Sequence, residues 1–169
     1  VNAVDSNYNR NDNEISTLQV YTNSDSYDDL PLAYQEAGLI GGQATFYMTL
    51  FTASTSHVII ASDGDRSNEP PLLNLGIGQS DVFTIASSAP VTMQVLLASE
   101  TAKPGKPPYY PDFAGGRAGN IQIQTAGTTF YATVRAVDKY WNLINNEASS
   151  VRLDTLDPYD IHPDTTGLS

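Results

Sequence analysis

The sequence predicts an all-β chain folded as a two-sheet antiparallel sandwich. Apolar and polar residues alternate with a period of two in six separate runs, and Thr, Val, Ile and Tyr dominate those runs. Gly, Pro, Asn or Asp punctuates each interval, and no window sustains a helical period.

Taken in chain order, STLQVYT (residues 16–22) places Leu18 and Val20 on one face, and QATFYMTL (43–50) does the same for Ala44, Phe46, Met48 and Leu50. SHVIIAS (56–62) aligns Val58 with Ile60. VTMQVLL (91–97) is expected to turn Met93, Val95 and Leu97 toward the core. FYATVRA (130–136) sets Phe130, Ala132, Val134 and Ala136 against Tyr131, Thr133 and Arg135, and SVRLDT (150–155) aligns Val151 with Leu153. Residues 98–127 break the rhythm. They are rich in Pro and Gly, and because proline cannot donate to a ladder, a long surface excursion is expected there.

With 169 residues the chain accommodates one large domain or two small ones, and 40% hydrophobic residues suffice for a packed core. The net charge is −11, with Lys103, Lys106 and Lys139 as the only lysines. Phosphate repulsion therefore argues against nucleic acid, and no basic amphipathic stretch offers itself to a membrane surface. No apolar run approaches the roughly 20 residues that span a bilayer, so membrane insertion is not expected. Without cysteine there are neither disulfides nor thiolate metal sites.

The chain matches itself. Laid on residues 134–150 at an offset of 133, residues 1–17 give eight identities, among them Val1/Val134, Ala3/Ala136, Asp5/Asp138, Asn9/Asn142, Glu14/Glu147 and Ser16/Ser149. After a one-residue slip, DSYDDLP (25–31) lies on DPYDIHP (157–163). A repeat of about 130 residues, entered inside one copy and left inside the next, explains both matches.

Those residues carry a resemblance. AGTTFYATVRAVDKYWNLINNEASSVRLDTLDPYDIHP (126–163), with GGQATFYMTLFTASTSHVIIASD (41–63) from the other copy, resembles the bacterial immunoglobulin-like (Big-type) tandem repeats of large surface and secreted proteins. The matching positions are Ala136, Asp138, Asn142, Asp157, Pro158, Gly42, Phe46 and Asp63. The resemblance implies immunoglobulin-like antiparallel sandwich repeats. Residues 1–88 would be one repeat lacking its leading strands, and residues 91–169 the start of the next, lacking its trailing strands. Strands missing from each would come from an adjacent repeat or subunit. The family's pattern places Gly before the Asn, where this chain has Trp141 and Tyr8, so a large ring at that turn must be shielded by a partner or by the long loop.

Asp5, Asn9, Asp138 and Asn142 are read first as turn residues, because short carboxylates and amides accept backbone N–H bonds at strand exits. Calcium ligation is the second reading there. A better calcium candidate is DGDRSNE, residues 63–69, through Asp63, Asp65 and Glu69, although the full twelve-residue calcium loop is absent. No other cofactor is expected. His57 and His162 accompany no nucleophile elbow or zinc helix, Asp28, Asp29, Asp154 and Asp157 lie in turns, and GIGQSD (76–81) places Asp81 where a phosphate loop needs glycine. No enzyme is expected.

Tyr109, Tyr110 and Phe113 on the long loop either cover their own domain or, with Trp141 and Tyr8, form a subunit or repeat interface. The leading expectation is a structural repeat unit of a bacterial extracellular filament, surface fibre or adhesin stalk. It would assemble head to tail with copies of itself or with neighbouring repeats. A carbohydrate-binding module that stacks Tyr109, Tyr110, Phe113 and Trp141 on polysaccharide is the alternative, and an enzyme-attached spacer is a third.

Overall fold

The structure is a computed structural model that describes residues 1–28, 34–63, 75–145, 147–161 and 165–168. The fold is all-β, every sheet is antiparallel, and the described residues contain no helix. The chain forms two compact units, Val1–Ala86 and Ser87–Ser169.

In the first unit, β1 (Thr17–Thr22) lies between β2 (Gln35–Gly38) and β4 (Ile59–Ser62), and β5 (Ile77–Gln79) extends the sheet beyond β4. Leu18 and Val20 of β1 are buried, as the alternation requires. β3 (Ser54–His57) pairs separately with β6 (Phe83–Ile85), so the expected strand over 56–62 is broken at Val58. Ala3, Leu18, Leu39 and Ala44 form the core, with Ala37, Phe46 and Leu75 packed against it.

Residues 44–50 are expected as a strand, yet they join no ladder among the described residues. Their alternation is nevertheless real: Ala44 is buried and Phe46, Met48 and Leu50 half-buried, whereas Thr45, Tyr47 and Thr49 are exposed. The segment is entered through a hairpin turn in which Ile40 and Gln43 exchange both backbone bonds across Gly41 and Gly42, at φ 58° and 69°. Positive φ at both central residues is the turn that Gly-Gly favours. A Cβ on Gly42 would also lie 2.1 Å from the Asn11 carbonyl oxygen.

In the second unit, β7 (Thr92–Leu97) pairs with β10 (Ala132–Val137) over six residues, in the register Met93 to Ala136 and Val95 to Val134. β8 (Thr101–Ala102) and β9 (Arg117–Ala118) close the base of the long excursion, and β11 (Ser150–Val151) pairs with β12 (Thr166–Gly167). The run expected over 150–155 is thus a strand only at its first two residues.

The burial of β7 reverses the expectation. Met93 and Val95 are exposed, at 50% and 39%, and Gln94 and Leu96 are buried. The long excursion covers the Gln94 face: Gln94 Nε2 donates to the Gly116 carbonyl at 2.9 Å, and Arg135 donates to Gln94 Oε1 at 3.2 Å. A polar side chain satisfied in this way can be buried. The apolar Met93–Val95 face carries no second sheet among the described residues.

Candidate functional site

The matched segments fold into matched turns. In the second unit Asp138 N donates to the Asn142 carbonyl, Trp141 N to the Asp138 carbonyl and Ile144 N to the Ala136 carbonyl. In the first unit the same three bonds join Asp5 to Asn9, Tyr8 to Asp5 and Asn11 to Ala3. Tyr8 and Trp141 both adopt left-handed backbone, at φ 63° and 68°. Glycine adopts that conformation freely, and a ring-bearing residue is strained there.

The aspartates organise these turns. Asp138 Oδ1 accepts the Tyr140 and Asn142 amides at 2.8 and 2.9 Å, and Asp5 Oδ1 accepts those of Asn7 and Asn9 at the same distances. The equivalence extends further along the chain. Glu14 Oε1 accepts the Ser16 amide and hydroxyl, as Glu147 Oε1 does for Ser149. Leu39 N donates to the Ser16 carbonyl, as Leu168 N does to that of Ser149. Asp25 and Asp157 each cap the amide two residues ahead, of Tyr27 and Tyr159.

What surrounds the matched residues differs sharply. Asp138 is buried and its Oδ2 also accepts the Ser88 amide at 2.9 Å, whereas Asp5 is exposed. Trp141 is 1% exposed and Tyr8 87%. The cover over Trp141 is the excursion of its own unit. Pro108 takes the indole N–H at 2.8 Å, Gly105 N donates to the Tyr140 carbonyl, and Tyr109 meets Tyr140 edge to face at 5.0 Å. A Cβ on Gly116 would lie 2.2 Å from Trp141 Cγ, so only glycine lets that backbone lie on the indole. Tyr110 and Phe113 stack edge to face at 5.8 Å, with Phe113 still half exposed.

The inverse difference occurs at Asp25 and Asp157. Asp25 is buried and accepts the Phe51 and Thr52 amides and the Thr52 hydroxyl, a clamp across 26 and 27 residues. Asp157 is exposed, as are Leu156, Tyr159 and Ile161 around it. The second unit has counterparts of Ala3, Leu18 and Leu39 in Ala136, Val151 and Leu168.

The oxygens of Asp138 accept N–H and O–H donors, which sets them up as a turn anchor and not as a bare cation cradle. Asp63 Oδ2 accepts the Leu75 amide at 2.7 Å, while Asp65 and Glu69 lie outside the described residues, as does His162. His57 is fully buried: Nε2 donates to the Thr52 carbonyl at 2.7 Å, and Nδ1 meets the Ser24 hydroxyl at 2.9 Å. No group of three His, Asp or Glu side chains poised for a metal occurs among the described residues, and no helix is long and apolar enough to cross a membrane.

No family model matches the chain, and no curated protein or solved structure matches it.

Proposed function

We propose that the chain is an immunoglobulin-like structural repeat unit of a bacterial extracellular filament, surface fibre or adhesin stalk, and that it assembles head to tail with copies of itself or with neighbouring repeats. The observation that carries this reading is that the segments matched at an offset of 133 fold into the same turn in both units, with the same backbone bonds and the same carboxylate caps. The first holds Ala44, Phe46 and the Phe51–Thr52 clamp but leaves Tyr8 and Asp5 exposed. The second covers Trp141 and Asp138 but leaves Met93, Val95 and Asp157 exposed. Apolar faces such as that of Met93 and Val95 are covered in stable assemblies, and repeats that contact one another head to tail propagate as a line.

The surface suits that role. A net charge of −11 on a chain with only 16% charged residues leaves a hydroxyl-rich exterior that does not attract polyanions. Sugar stacking is the weaker reading, because the largest ring, Trp141, is buried beneath its own loop. Electron microscopy of the purified chain, combined with light scattering across a concentration series, tests the proposal. Linear assemblies that lengthen with concentration are expected, and a monodisperse monomer at every concentration would overturn it.

A further inference from the structure

At Val58 the chain leaves β3, which pairs with β6, and enters β4, which pairs with β1. A backbone that turns such a corner gives up ladder partners, and side chains must supply them. Here the Val58 carbonyl takes the Thr22 hydroxyl at 2.8 Å, and the Val58 amide donates to Ser24 Oγ at 3.3 Å. Two hydroxyls at the end of β1 therefore hold the corner.

Those hydroxyls run on into a buried imidazole. Ser24 Oγ lies 2.6 Å from Thr22 Oγ1 and 2.9 Å from His57 Nδ1, and on the far side of the ring Nε2 lies 2.7 Å from the Thr52 carbonyl. The chain thus has four contacts, Nε2 with Thr52, Nδ1 with Ser24, Ser24 with Thr22, and Thr22 with the Val58 carbonyl. Polar atoms this close need a hydrogen between them. Ser24 and Thr22 bring one each, and a neutral imidazole brings one in either tautomer. Three hydrogens cannot serve four contacts. An imidazolium brings two, and every contact is then filled in one direction: Nε2 donates to Thr52, Nδ1 to Ser24, Ser24 to Thr22, and Thr22 to Val58.

We propose that this corner is a proton-operated switch. With hydrogen on both ring nitrogens His57 completes the chain. When it gives one up, the Ser24 or the Thr22 hydroxyl turns away from a neighbour and loosens the hold on Val58.

The surroundings set two opposing electrostatic terms. The ring is fully buried, which disfavours a charge on it, and the Asp25 carboxylate acts the other way. Asp25 is itself buried and accepts the Thr52 amide and hydroxyl, so its charge is held on the residue whose carbonyl receives the Nε2 hydrogen. The strands around the ring add no further charge. β3 (STSH) and β4 (IIAS) carry no other ionisable side chain, β6 (FTI) brings the Phe83 ring at 5.8 Å, and Tyr21 of β1 alternates to the face opposite Thr22. His57 joins no ion pair among the described residues. The corner lies within the first unit, so the switch works whether or not copies assemble.

Nitrogen NMR of the imidazole tests the switch on the full chain carrying His162→Gln, which leaves His57 as the one histidine. Thr22→Val, a near-isosteric change in this background, deletes two of the four contacts and one hydrogen, so a neutral ring then satisfies what remains. The Val58 carbonyl loses its donor in both protonation states, which leaves the titration unmoved by that loss. His57 should hold its second proton roughly tenfold more weakly in this variant. Ser24→Ala, which takes away the Nδ1 acceptor, should shift the titration in the same direction and decides the matter if Thr22→Val does not fold. Equal proton affinity in the parent and in a folded variant would overturn the proposal. So would a folded parent in which one ring nitrogen of His57 stays bare at every pH.

Discussion

At the scale of single residues, carboxylates do the local organising, and two of them make a pH-dependent contribution. The Asn9 amide, then the Asn9 side chain and the Asn7 amide, holds the Asp5 carboxyl below the ordinary aspartate range. Glu14 is likewise held low, chiefly by the Ser16 hydroxyl, against the opposing effect of burial. A carboxyl whose folded pKa is depressed stabilises the fold above its unfolded pKa and loses that contribution as pH falls through the folded value. The first unit should therefore keep its stability above about pH 4 and lose it progressively below. Carbonyl-carbon NMR titration of Asp5 and Glu14 checks this, with both midpoints expected below those of the unfolded chain. The roles of Asp5 and Asp138 were legible because an Asp four residues before an Asn spells such a turn. The role of Asp25 was not, because the amides it clamps, Phe51 and Thr52, become neighbours only after folding.

At the scale of elements, the matched turns allow one design to be compared in two settings. Truncating Asp138 to Ala strips acceptors from the Tyr140, Asn142 and Ser88 amides in a buried site. That should cost about 3 kcal/mol. Truncating Asp5 removes an equivalent set of turn bonds, but water can replace them at an exposed site, so the loss should be much smaller. Denaturant melts of the two variants check the contrast, and equal losses would mean that the excursion over Trp141 does not seal its turn. Alternation identified β1, with Leu18 and Val20 buried, and located β10, although the strand starts at Ala132 and Phe130, expected on the core face, is 51% exposed. It failed for β7, where Leu96 and Gln94 on one face compete with Met93 and Val95 on the other. The choice was made by Gly116, which takes the Gln94 amide from a loop more than twenty residues away. Period alone cannot register such a contact.

At the scale of the whole molecule, the all-β class followed directly from the period of two, and the self-match at an offset of 133 reappears as shared turns, shared caps and shared strand registers. What the sequence left hidden was the difference in cover. Nothing in the identical Asp–Asn spacing tells that Trp141 lies under Pro108 and Gly116 while Tyr8 faces solvent. That difference follows from what packs on each turn: Pro108 and Gly116 lie on Trp141, and Tyr8 stays 87% exposed.

Amide hydrogen exchange, resolved by residue at low and high protein concentration, tests head-to-tail assembly most directly. The β7 amides of Met93 and Val95, whose apolar side chains are exposed, should become more protected as protein concentration increases. Unchanged exchange at these two amides in a sample that has already associated would contradict coverage of the β7 face by a neighbour.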